Sequence, residues 1–137
     1  MIQKLFVYGS LMENFYNYNR YLKGKVLTRN HVRTRGALYH LIDKGYPAMI
    51  EGNDFIYGEL IEVEDWGNTL RDLDTLENYY GERNINNEYN RVLIEVETIK
   101  GEHKGSAYTY KYSKQIKDTF NALYIPYGDW RRYMQVL

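Results

Sequence analysis

Val92-Leu93-Ile94-Glu95-Val96-Glu97, followed by the turn Lys100-Gly101-Glu102 and by Ala107-Tyr108-Thr109-Tyr110-Lys111-Tyr112, carries the fold. Val92, Ile94 and Val96 alternate with Glu95 and Glu97, the period-2 pattern of a strand with one face in the core and one in water. Beyond the glycine turn the alternation resumes and puts Tyr108, Tyr110 and Tyr112 on one face, so the two runs predict a β-hairpin. Upstream, the apolar run Leu5-Phe6-Val7-Tyr8 reads as a buried strand stopped by Gly9. Apolar and β-branched residues recur from Val32 to Ile42 and from Phe55 to Glu64, with Gly36, Gly45 and Gly58 as breaks or bulge points. These are expected to be strands of the same antiparallel sheet.

One interior helix is expected, from Trp66 to Tyr80, with Asp65 as N-cap and Gly81 ending it. A second is expected from Asp129 to Val136, where Trp130, Tyr133 and Met134 cover the core or meet a partner. Glu13 to Leu22 reads as a short aromatic helix or an irregular turn. Five or six strands with one or two helices give an α+β domain whose curled, mostly antiparallel sheet closes into a small β-barrel flanked by helices. No linker, repeat or low-complexity tract divides residues 1–137, which are read as a single domain.

Composition narrows the function classes. Eighteen Lys and Arg balance eighteen Asp and Glu, so the field that draws a protein to nucleic acid or an anionic membrane is missing. Cysteine is absent, which removes disulfides, thiolate metal sites and a cysteine nucleophile. His31, His40 and His103 stand far apart and show no ligand spacing, so no metal is expected. The N-terminal apolar run breaks at Gly9, too early for a signal peptide or a membrane span, and a cytoplasmic protein is expected. The sixteen tyrosines suit half-buried strands and wet pockets, where the ring packs and the hydroxyl finds a partner.

Two features suggest chemistry. At about 100° per residue, Trp66, Leu70, Leu73, Leu76 and Tyr80 form one apolar arc, and Glu77 falls inside it, with Asp74 at its edge. A carboxylate taken out of water has its pKa pushed up towards neutrality, which suits a proton shuttle; the structural alternative is a Glu77 paired with Arg91 or snorkelling at the core's edge. The second feature is Tyr8-Gly9-Ser10-Leu11. A strand ending in this way leaves successive backbone N–H groups free for an anion, with glycine allowing close approach or a positive φ, although the same run also serves as an ordinary turn. No G-x-S-x-G elbow surrounds Ser10, which argues against a serine nucleophile.

Tyr8-Gly9-Ser10-Leu11, Tyr46-Pro47-Ala48, Gly58-Glu59-Leu60, Leu73-Asp74-Thr75-Leu76-Glu77 and Tyr89-Asn90-Arg91 together resemble the gamma-glutamylcyclotransferase-like (AIG2-like) family in order and spacing. The tail Ile125-Pro126-Tyr127-Gly128-Asp129-Trp130 is similar to that of its small bacterial members. The resemblance implies a small barrel with a pocket between the Tyr-Gly-Ser-Leu loop and a helix-borne glutamate, which Glu77 matches. It implies that a γ-glutamyl amine or γ-glutamyl amino acid cyclises to 5-oxoproline and free amine, with no cofactor or metal. Glu77 would be the general acid/base; Tyr8, Gly9, Ser10 and Leu11 would hold the substrate's α-carboxylate or the oxyanion. Tyr110 would either line the pocket or pack across strands. Leu11 directly after Ser10 departs from the Tyr-Gly-Ser-Asn of glutathione-pathway members. The expected partner is a small-molecule γ-glutamyl substrate, not nucleic acid or membrane, with the protein a monomer or homodimer. The alternative is a non-catalytic pocket protein that binds a γ-glutamyl or amino-acid metabolite.

Overall fold

The computed structural model describes residues 2–119 and 121–136. The hairpin expected from alternation is β4 (Tyr89–Thr98) with β5 (His103–Tyr112), paired antiparallel from Tyr89 opposite Tyr112 to Glu97 opposite His103. A longer hairpin joins β2 (Val26–Leu41) to β3 (Tyr46–Val63). Both strands run further than the apolar pattern indicated. β3 begins nine residues before Phe55, because its register jumps at a bulge: Gly36 faces Asp54, but Ala37 faces Ile50. Residues 51–53 are the excess, so one continuous strand reads in sequence as a strand plus a separate apolar fragment.

β1 (Lys4–Val7) lies between β3, antiparallel, and β5, to which it is parallel through Leu5 and Tyr108. The order β3-β1-β5-β4-β2 closes when β2 pairs with β3, giving a five-stranded mixed barrel, and β6 (Ala122–Ile125) extends the sheet beyond β2. Closure leaves few unpaired strand edges. Leu5, Phe6, Leu38, Met49, Ile56 and Leu73 are among the side chains that fill the interior.

α1 spans Trp66–Leu76 and is shorter than the predicted Trp66–Tyr80. Asn78 takes a left-handed φ of 53°, which an α-helix cannot continue through, and Glu77 becomes the C-cap. Glu77 therefore does not lie on the helical stripe, and Tyr80, assigned to that stripe from periodicity, is 60% exposed. Tyr79, assigned to the polar side, packs against the core. Asp65 stands at the N-cap, but its carboxylate bonds the Asn68 side chain and caps no backbone N–H. α2 (Trp130–Gln135) is capped by Asp129, whose carboxylate accepts from the Arg132 N–H at 3.1 Å. Trp130 and Tyr133 are buried against the barrel, so this helix covers the core. The Glu13 to Leu22 stretch forms turns followed by a π-helical segment, Tyr18–Leu22.

Candidate active site

A cavity of about 160 Å³ opens where the end of β1, the C-terminus of α1 and the strands β4 and β5 converge. This is smaller than the roughly 300–1,000 Å³ of a drug-sized site and suits a small metabolite. Tyr8, Gly9, Ser10, Leu11, Glu77 and Tyr110 all line it, so the six residues singled out in the sequence meet in one place.

The loop wall is made by residues 9–12. No hydrogen bond among the described residues uses the backbone N–H of Gly9, Ser10 or Leu11, while the Gly9 carbonyl accepts from Met12 N–H and the Ser10 carbonyl from Tyr18 N–H. Ser10 Oγ accepts from Asn17 Nδ2 at 2.7 Å. Gly9 is required for space and not for a positive φ: a Cβ there would lie 2.5 Å from Pro47 Cγ. An ion-paired cluster holds the far end of the loop. Glu59, 2% exposed, accepts from Glu13 N–H at 3.1 Å and pairs with Arg29 and Arg131, and Arg131 also bonds the Glu13 carbonyl at 2.9 Å. Charge and hydrogen bonds thus tie the loop to both β3 and α2.

Four tyrosines form much of the remaining wall, and each hydroxyl is committed elsewhere. Tyr8 donates to the Tyr110 carbonyl at 2.6 Å, Tyr89 to the Pro47 carbonyl at 2.6 Å, Tyr110 to Asp74 Oδ1 at 2.7 Å, and Tyr46 to Glu88 Oε2. Burial raises all four phenols above their ordinary pKa, so they stay neutral. With their protons used, these hydroxyls can meet a ligand only as acceptors, and that of Tyr8 already receives the Met49 N–H.

Glu77 lines the same cavity as the loop amides. No hydrogen-bond donor or cation meets its carboxylate among the described residues, because Arg91, the structural partner considered from sequence, is bonded to Asp74. Burial first, and the nearby Glu88 second, push its pKa up to about 8. The partial negative charge of the α1 C-terminus, where Glu77 is the cap, acts in the same direction.

Glu88 is the functional candidate that sequence reasoning missed. It lines the same cavity and receives Lys44 Nζ at 2.6 Å, the Tyr46 hydroxyl and Asn78 Nδ2 at 3.0 Å. Burial alone would raise its pKa, but these donors overcome that and hold it below the ordinary carboxylate value. Two acids in one pocket are thereby driven apart, the usual sign of distinct acid/base roles. Glu88 lies in residues 77–88, where no periodicity marks a buried side; its position directly before Tyr89-Asn90-Arg91 was the available signal. No group of three or more His, Asp or Glu among the described residues could hold a metal ion. Nor is any described helix long and apolar enough to cross a membrane.

The fold and site define a class: a small mixed β-barrel with a compact pocket lined by free backbone amides and by one carboxylate without a donor or cation among the described residues. The family model described as gamma-glutamyl cyclotransferase, AIG2-like, matches residues 5–132. A gamma-L-glutamyl-butirosin B gamma-glutamyl cyclotransferase of Niallia circulans is 31% identical over 129 residues, 94% of this chain and 76% of that protein. The structure of an AIG2-like protein from Mus musculus superimposes with a TM-score of 0.68 at 20% identity, covering 90% of this chain and 86% of that one. The solution structure of the protein ytfP from Escherichia coli does so with a TM-score of 0.63 at 29% identity, covering 93% and 95%. The chain belongs to the gamma-glutamyl cyclotransferase, AIG2-like family, and is a gamma-glutamylcyclotransferase-like enzyme.

Proposed function

We propose that the protein converts a γ-glutamyl amine or γ-glutamyl amino acid into 5-oxoproline and the free amine, with Glu77 as general acid/base. The observation that carries this is the Glu77 carboxylate itself, without cation or donor among the described residues, raised to about 8, and sharing a small cavity with unused backbone amides. The Niallia relative is named for a γ-glutamyl substrate, which supports the acyl half of the molecule.

A free α-amine has a pKa of about 7.7–8.0 and is largely protonated at neutral pH, so it needs a base before it can attack. Glu77 accepts that proton. The α-nitrogen then forms a bond to the γ-carbonyl carbon, closing the five-membered ring, and the bond from that carbon to the leaving nitrogen breaks. The proton held by Glu77 passes to the departing nitrogen, which otherwise leaves as a poor anion, and the ring nitrogen gives up its second proton through the freed Glu77 carboxylate to the amine, which departs as an ammonium. No water is consumed and Glu77 returns to its starting state. Nucleophile and electrophile share one molecule, so the pocket has mainly to fold the substrate into its cyclising shape. The amides of Gly9, Ser10 and Leu11 supply donors for a carboxylate or developing oxyanion, and the lone pairs of the tyrosine wall receive the α-ammonium.

The test is incubation with a panel of γ-glutamyl amines and dipeptides, following 5-oxoproline for wild type and Glu77→Gln. Turnover by wild type, with binding but no turnover by the variant, supports the proposal. Binding without 5-oxoproline from any wild-type pairing favours a metabolite-binding protein, and a fully active Glu77→Gln refutes the assignment.

A further inference from the structure

Asn78 is the residue that ends α1 directly after Glu77, in a left-handed conformation that asparagine tolerates and that a partner can fix in place. What holds it is Glu88. The Glu88 N–H donates to the Asn78 carbonyl at 3.0 Å, and Asn78 Nδ2 donates back to Glu88 Oε1 at 3.0 Å. The other carboxylate oxygen, Oε2, takes Lys44 and Tyr46, which reach it from the β2–β3 turn and the start of β3. One side chain thus ties three segments together behind the proton-transfer group.

We propose that Glu88 is the positioning residue of this site: it clasps Asn78 so that the helix stops at Glu77, and it sets a negative charge in the cavity that Glu77 lines. The proposal rests on the reading of Glu77 as acid/base but concerns a different residue. The groups that bear on Glu77 are Tyr8 just after β1, Tyr46 from β3, Tyr89 from β4, Tyr110 from β5, and Glu88. The four phenols are neutral, so Glu88 is the charge among these five, and a like charge favours the protonated form of its neighbour. Lys44, 45% exposed and paired with Glu88, partly offsets that charge. Removing Glu88 or removing Lys44 therefore has opposite consequences for Glu77, which a merely structural role would not produce.

The experiment is a carboxyl-carbon NMR titration of Glu77, its signal assigned by its loss in Glu77→Gln. In Glu88→Gln, which keeps an amide oxygen for Asn78 but removes the charge, the Glu77 midpoint should move to lower pH, with proton binding at least threefold weaker. In Lys44→Met, a surface change, it should move to higher pH. Asn78→Gly permits the left-handed turn while deleting the side-chain bond, and should lower kcat about three- to tenfold with KM little changed. Opposite shifts together with the kcat loss support the proposal. A Glu77 titration unmoved in both charge variants, or wild-type kcat in Asn78→Gly, overturns it. The titration needs no turnover, so an error in the role of Glu88 is told apart from an error in the role of Glu77, which an active Glu77→Gln would expose.

Discussion

The Arg91 guanidinium is bonded to Asp74 and not to Glu77, although the two carboxylates stand only three residues apart at the end of α1. Tyr110 donates to the other Asp74 oxygen, and Arg91 lies over the rings of Tyr79 and Tyr108. A cation that would have fixed Glu77 in its ionised form is therefore held one helical turn away. The double variant Arg91→Met, Asp74→Asn should lose about 1 kcal/mol of stability, as expected for a part-exposed pair. Its pH–rate profile should stay where the wild type's is. Were Arg91 a partner of Glu77 in solution, the profile would move to higher pH, and thermal melts beside kinetics across pH 6–9 distinguish the two.

The wild-type profile itself follows from Glu77 at about 8 and a substrate amine of about 7.7–8.0. The productive complex carries one proton between them: below both values each is protonated and no base exists, and above both no proton remains for the leaving nitrogen. A bell centred near pH 8 is expected for kcat/KM, whose limbs report the free enzyme and the free substrate. A rate independent of pH from 6 to 9 would contradict the shuttle.

Gly9→Ala tests the loop wall. The added Cβ would lie 2.5 Å from Pro47 Cγ, part of a ring that cannot rotate away, so the loop must shift. A displacement near 1 Å at a reacting centre is enough to cost about a hundredfold in rate, and overpacking of this kind costs about 1–3 kcal/mol. We expect kcat/KM to fall ten- to a hundredfold with the fold retained, read from kinetics and circular dichroism. Wild-type activity would show that the amides of residues 9–11 have no part in catalysis.

How much of this was legible depends on how local the cause is. The β4–β5 hairpin was read from alternation because one face of β4 meets water and the other meets the core, as Val96 and Glu95 show. β3 was only half read, because the bulge and Pro47 interrupt its pattern while its partner β2 carries the pairing across. Glu77 was found as a carboxylate on an apolar arc, yet for an imperfect reason, since the helix has ended before it. Asn78, a residue type tolerant of left-handed φ, was the local clue. The ion pairs of Glu88 and Glu59 were illegible, because Lys44, Arg29 and Arg131 lie tens of residues away in sequence and only closure of the barrel brings them near.

A raised Glu77 also makes a statement about stability. In the unfolded chain this carboxyl titrates near 4.3, and in the folded protein at about 8. Between those values the folded state binds a proton that the unfolded state does not, so stability from this group is fully present below pH 4 and is lost as pH rises towards 8. Glu77→Gln, neutral throughout, escapes that loss. The variant should match wild type near pH 4, exceed it increasingly from about pH 5, and hold a constant advantage above about pH 8.5. The full shift would correspond to at most about 5 kcal/mol, and water in the open pocket screens the charge, so a gain of about 2 kcal/mol is expected. Urea unfolding of both proteins at pH 5, 7 and 9 measures it. A difference in stability that does not grow with pH would mean that Glu77 is solvated or paired in solution, and would remove the physical basis for its role as the proton carrier.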